Sequence, residues 1–128
     1  MVSQRRILIV VGDDKERNEL HGALQREGFE VVAVVDHNQA HKQLLDSRFD
    51  LVATEAGPTS TGIEFITRVR ATPQLAGILI LVIAEWGAGE ATLALSQGAN
   101  GFEPKPFDTS RILASVKRML SFQKINTE

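Results

Sequence analysis

The residues best equipped for chemistry lie in a few short stretches. Thr54 and Glu55 close an apolar run that starts at Leu51, and a loop of turn residues, Gly57-Pro58-Thr59-Ser60-Thr61-Gly62, follows them. In a sheet covered by helices on both faces, ligands bind at the ends of central strands. Glu55 brings a carboxylate to such an end. Thr54 brings a hydroxyl, a poor nucleophile at its ordinary pKa without an adjacent base, and no histidine is expected beside it. Asp13 and Asp14 follow the first apolar run, and Lys105 follows the last short one.

Other polar groups have simpler readings. The 57–62 loop precedes a helix, and amides at a helix N-terminus favour phosphate. Turn formation alone also accounts for its Gly, Pro, Ser and Thr. His37 and His41 share one helix face at i,i+4 spacing, but no third ligand suggests itself, so no metal site is expected there. Gly12 stands alone, which excludes a dinucleotide fingerprint or P-loop after the first strand.

The composition limits the function classes. The 128 residues suit one domain with a single core. Apolar residues make up 43% and charged residues 23%, an ordinary globular balance. A net charge of −2 argues against nucleic acid as a partner, because phosphate contacts need clustered Lys and Arg. Without cysteine there is no disulfide or thiol chemistry. No run of about 18 apolar residues offers a membrane span. Met1 to Arg6 leads straight into an apolar run with no signal-peptide pattern. A cytoplasmic protein is expected.

The elements that must position these groups follow from pattern. Ile7–Val11, Val31–Val35, Leu51–Thr54 and Ile78–Ile83 are short runs rich in β-branched residues. They read as strands buried on both faces, as in a parallel sheet. Gly101–Glu103 reads as a brief fifth strand. Between them run helical patterns: Lys15–Glu27 with Leu20, Ala23 and Leu24 inward; a helix capped by Asp36 reaching about Ser47, with Ala40, Leu44 and Leu45 inward; one opened by Gly62 with Ile63, Phe65, Ile66 and Val69; and Gly89–Gln97. A last helix over Asp108–Phe122 turns Ile112, Leu113, Val116 and Leu120 inward. Five strands alternating with five helices predict an α/β, doubly wound parallel sheet. The domain is expected over 1–122, with 123–128 a frayed polar tail or the start of a linker.

With these elements in place the chain resembles the receiver domain of two-component response regulators, from Arg5 to Leu120. The resemblance rests on Arg6-Ile7-Leu8-Ile9-Val10, Gln25-Arg26-Glu27-Gly28-Phe29-Glu30-Val31, Phe49-Asp50-Leu51-Val52, and Gln97-Gly98-Ala99-Asn100-Gly101-Phe102 leading into Lys105-Pro106-Phe107. It implies a flavodoxin-like (βα)5 sheet of order 2-1-3-4-5. It also implies phosphoryl transfer from a histidine kinase to an aspartate ending the third strand. That aspartate and an acidic pair after the first strand hold Mg2+, a hydroxyl after the fourth strand follows the phosphoryl group, and a lysine pairs with it.

Position by position, this chain departs from the pattern. Val11 and Gly12 stand at the acidic pair; Asp13 and Asp14 come one and two residues late, and Asp13 is expected to cap the helix rather than ligate Mg2+. The aspartate's place falls on Glu55 counted from Asp50 and on Thr54 counted back from Pro58 and Gly62. Glu55 is then either a permanent stand-in for the phosphorylated aspartate or a solvated loop residue. Ile83 replaces the hydroxyl. Lys105 is retained, with Glu55 or Asp13 as its candidate ion-pair partner, and Lys105-Pro106 is expected to be cis. Phe102 takes the aromatic switch position.

The expectation is a degenerate receiver: a non-enzymatic interaction module independent of phosphorylation, without a cofactor. Trp86 and an outward Leu93, with Ala91, Ala94 and Leu95 turned to the core, would form a contact surface with Arg111, Lys117 and Arg118. A signalling protein, an output domain or a second copy would bind there, on the face of the fourth helix, fifth strand and fifth helix. Two alternatives stand beside it: a receiver still phosphorylated at Glu55 or Thr54 with Mg2+, and an anion or small-molecule site in the 57–62 loop.

Overall fold

A computed structural model describes residues 4–57 and 59–126, and the side chains of residues 59, 60 and 122–126 are outside that description. The strands are β1 (Arg6–Val10), β2 (Glu30–Val34), β3 (Leu51–Glu55), β4 (Leu79–Ala84) and β5 (Gly101–Pro104). The helices are α1 (Asp14–Arg26), α2 (His37–Asp46), α3 (Thr59–Arg70), α4 (Ala88–Ser96) and α5 (Thr109–Asn126), with a 3-10 turn at Pro73–Leu75. All pairings are parallel and the order is β2-β1-β3-β4-β5, as expected.

Side chains alternate across a strand, so the sheet has two apolar faces. Leu8, Val10, Val52, Ile80 and Val82 pack against Ala40 and Leu44 of α2, Phe65, Ile66 and Val69 of α3, and Ala94 of α4. Ile7, Ile9, Leu51, Ala53, Leu81 and Ile83 pack against Leu20 and Leu24 of α1 and Ile112, Val116 and Leu120 of α5. The same alternation sends Thr54 toward α2 and α3, and Glu55 toward α1 and α5.

Several details differ from the sequence expectation, and one is that α3 opens at Thr59, three residues before Gly62. β2 is an edge strand with one neighbour, so most of it is only half-buried, and Val35, beyond its end, is 42% exposed. Leu45 of α2 is 44% exposed and Leu95 of α4 is 47% exposed. Each sits one residue past the inward Leu44 or Ala94, about 100° around the helix from the buried stripe. α5 continues to Asn126; no glycine or proline interrupts Gln123 to Asn126, and Gln and Lys are good helix formers.

Candidate functional site

The C-terminal ends of the strands bring the candidate residues together. Glu55 closes β3, with Ile83 opposite it in the register with β4. Its Oε1 accepts the Gly12 amide at 2.8 Å, and its Oε2 pairs with the Lys105 ammonium. Lys105 follows β5, with its amide on the Ala84 carbonyl at 3.0 Å and a cis bond to Pro106. A cleft of about 300 Å³ opens over the pair, lined by Glu55, Gly57, Ile83, Ala84, Glu85 and Lys105. Burial works against the Lys105 charge, but the hydrogen bond and charge of Glu55, helped by Glu16 and Glu85, outweigh it and raise its pKa. Glu16 of α1 borders the same site. Burial raises its pKa, reinforced by Asp13 and Glu55 and opposed by Lys105.

The carboxylates after β1 are committed elsewhere. Asp13 is the N-cap of α1 and accepts the Glu16 amide at 2.9 Å. A short polar side chain at this position takes one of the amides a helix start leaves unpaired. Asp14 pairs with Arg17 at 2.6 Å, and Arg17 also donates to the Val11 and Gly12 carbonyls at 3.0 and 3.3 Å. Val11 and Ile83 are fully buried apolar side chains.

On the opposite face of β3, a histidine stands where none was expected. His37 opens α2, and its Nε2 lies 2.9 Å from the Glu55 carbonyl and 3.1 Å from the Thr54 hydroxyl. A carbonyl only accepts, so this contact assigns the proton to Nε2. Thr54 is 1% exposed, and its hydroxyl donates to the same carbonyl at 2.8 Å. With Nε2 a donor, His37 is not a base toward Thr54. The imidazole stacks on Phe65 at 4.4 Å and 7°. Burial lowers its pKa, assisted by Arg68 and opposed by the Glu55 carbonyl and Asp36. No group of three or more potential metal ligands occurs among the described residues.

Sequence reading missed His37 and Glu16. The strand order holds the signal for His37: with β2 and β3 flanking β1, the first residue of α2 overhangs the end of β3. Thr54's inward position then supplies the polar partner.

The aromatic residues link the next two loops. Trp86, expected at the contact surface, is half-buried beside the α4 face. Its Nε1 donates to the Gly57 carbonyl at 3.0 Å, and its ring stacks on Phe102 at 6.2 Å. That ring crosses α3 so closely that a Cβ on Gly62 would lie 2.7 Å from it and 2.6 Å from Ala56 Cβ. Gly57 takes φ +63°, a turn conformation that glycine adopts without steric cost. The Thr61 hydroxyl donates to the Ala56 carbonyl at 3.2 Å. Pro58 and the side chains of Thr59 and Ser60 lie outside the described residues.

The fourth-helix face is more apolar than the sequence suggested: Leu93 and Leu95 are 43% and 47% exposed. Arg111 and Arg118 are exposed on α5, and Arg118 approaches Ser115, whose hydroxyl donates to Glu103 of β5. Lys117 turns the other way and pairs with Glu27 of α1 at 3.0 Å.

Known proteins share this architecture. The family model "Response regulator receiver domain" matches residues 7–117. The transcriptional regulatory protein CpxR of Escherichia coli K12 is 31% identical over 115 residues, covering 88% of this chain and 48% of that protein. The phosphate regulon transcriptional regulatory protein PhoB of Rhizobium meliloti is 32% identical over 116 residues, covering 88% of this chain and 51% of that protein. The chain thus spans about half the length of these relatives. The chemotaxis response regulator CheY4 of Vibrio cholerae superposes with a TM-score of 0.81 at 27% identity, over 91% of this chain and 98% of that one. By the family match and by its fold, the chain belongs to the response regulator receiver domains of two-component systems.

Proposed function

We propose that this receiver acts independently of phosphorylation, as a non-enzymatic protein-interaction module whose phosphorylation-site region is closed from within. The observation that carries this reading is the double engagement of Glu55, by the Gly12 amide and by Lys105. Lys105 is the residue the family resemblance assigns to the incoming phosphoryl group, and here a carboxylate of the chain itself satisfies it. Ile83, opposite Glu55, has no hydroxyl to offer a phosphoryl oxygen.

The donor set does not fit Mg2+. A hard cation of this size needs near-octahedral oxygen ligation. Val11 and Gly12 have no side-chain oxygen, Asp13 is occupied as a helix cap, and Asp14 is held by Arg17. The geometry also disfavours Thr54 as an acceptor, because its buried hydroxyl points at a carbonyl and its histidine neighbour is a donor.

The output surface in this reading is the exposed part of α4, β5 and α5, with Leu93, Leu95, Arg111 and Arg118. The partner is a signalling protein, an output domain or a second copy, in the cytoplasm. The overall charge of −2 disfavours direct nucleic-acid contact by this domain.

Incubation with Mg2+ and a small-molecule phosphodonor, followed by intact mass measurement, tests the proposal. An unchanged mass is expected. A stoichiometric gain of one phosphoryl group, mapped to Glu55 or Thr54, would overturn it in favour of a receiver phosphorylated at an unusual residue.

A further inference from the structure

Glu55 is gripped from both faces of the sheet. On the α1 and α5 face its carboxylate reaches Gly12 and Lys105. On the α2 and α3 face its carbonyl takes the Nε2–H of His37 and the hydroxyl of Thr54. β3 ends at this residue, and the Ala56 amide bonds the Ile83 carbonyl at 3.2 Å. The direction in which the Glu55 side chain leaves the sheet follows from where its peptide group is held.

We infer that His37 is the positioning residue for the Glu55–Lys105 pair. Its Nε2–H on the Glu55 carbonyl sets the end of β3 so that one carboxylate spans both the Gly12 amide and the lysine. The imidazole is itself well placed for this. The residue begins α2 directly after the Asp36 cap, and its ring is clamped flat against Phe65. The hydrogen bond is therefore made by a side chain with little freedom to leave. Both sides of the sheet then converge on a single residue: α2 through His37 on one face, and the β1–α1 and β5–α5 loops through Gly12 and Lys105 on the other. The inference rests on the reading of Glu55 and Lys105 as a closed pair.

Two variants separate donor from ring. His37→Phe keeps a flat ring for Phe65 and removes the donor. His37→Gln places an N–H near the position of Nε2 and removes the ring. The readout is the Lys105 Nζ–H resonance in 15N-labelled protein, visible only where an ammonium is held in slow exchange. The resonance is expected in the unsubstituted protein and in His37→Gln, and is expected to be lost or broadened in His37→Phe. A role limited to packing would reverse that order. A resonance of unchanged width in His37→Phe overturns the inference. The control is Glu55→Gln, which removes the pair itself. If its Lys105 signal matches the unsubstituted protein, the closed pair is wrong and the failure belongs to that reading. Should His37→Phe not fold, the His37 15N shifts of the unsubstituted protein decide. The Nε2–H tautomer supports the inference and the Nδ1–H tautomer overturns it.

Discussion

The Lys105 ammonium rests on one oxygen of Glu55 while the Gly12 amide donates to the other at 2.8 Å. One carboxylate therefore ties together the ends of β1, β3 and β5. Both side chains are largely withdrawn from water, at 18% exposure for Glu55 and 26% for Lys105. Partial burial makes such a contact worth more than a surface ion pair, while the remaining exposure keeps it well below a fully desolvated one.

Glu55→Gln is expected to lower stability at pH 7 by about 1–2 kcal/mol, the range for a charge-assisted hydrogen bond with partial screening. The pH dependence has a definite sign. The folded Lys105 pKa is raised above the ordinary 10.5, so the pair's contribution is complete below 10.5 and is lost as pH rises through the folded pKa. Urea unfolding of both proteins between pH 7 and pH 11.5 should show the gap narrowing only in the alkaline arm.

His37 predicts the opposite arm. Its folded pKa is lowered below 6.5, with burial the largest cause. The unfolded chain then takes up a proton first as the solution becomes acid, and the folded state loses stability as pH falls below about 6.5. His37→Gln should flatten that part of the stability profile. The imidazole proton shifts of His37, followed by NMR, should titrate at lower pH than those of a free histidine.

Gly62→Ala sets two effects against each other. Alanine within a helix is worth about 1 kcal/mol over glycine. Here its Cβ would meet Ala56 Cβ at 2.6 Å and the Trp86 ring at 2.7 Å, and overpacking of this kind costs about 1–3 kcal/mol. Trp86 can shift, but Ala56, at the end of β3, has little room. A net loss of about 1–2 kcal/mol is expected. The fluorescence of Trp86, the chain's single tryptophan, should change with it as the ring is displaced from Gly57 and Phe102. Unchanged emission would show that the ring does not cover Gly62 in solution.

Leu93→Glu with Leu95→Glu tests the surface of α4. Both side chains are exposed, so their replacement should change folding stability by no more than about 0.5 kcal/mol per site. Any self-association seen by sedimentation of the unsubstituted protein should disappear in the double variant. Association that survives both charges would place the contact elsewhere.

Much of the architecture is legible in the amino-acid sequence. The β-branched apolar runs at Ile7, Leu51 and Ile78 identify strands covered on both faces, because only burial on both sides removes the need for alternation. Asp13 and Asp36 mark two helix starts, since a carboxylate there satisfies amides that the helix cannot. Runs such as Gln97-Gly98-Ala99-Asn100-Gly101-Phe102 and Lys105-Pro106-Phe107 carry the family resemblance. The departures expected at Val11, Gly12, Ile83, and Thr54 or Glu55 come from setting the sequence against that family pattern.

Tertiary structure decided which of these groups meet. Local pattern leaves Lys105 a choice between Asp13 and Glu55. The choice is made by Asp13 turning to its own helix and by the parallel sheet, which brings the C-terminal ends of β3 and β5 to the same edge with only β4 between them. It places His37, 17 residues away in the chain, on Thr54, because α2 folds back over β1. It lays the half-buried Trp86 against α3, where a bare Gly62 leaves room for its ring. Periodicity assigns a helix its apolar stripe but not the stripe's width, so Leu45 and Leu95 are exposed despite being apolar. Residues close in the chain are constrained by local chemistry that a sequence displays; the Glu55 site is a meeting of distant segments, and only packing brings them within hydrogen-bonding reach.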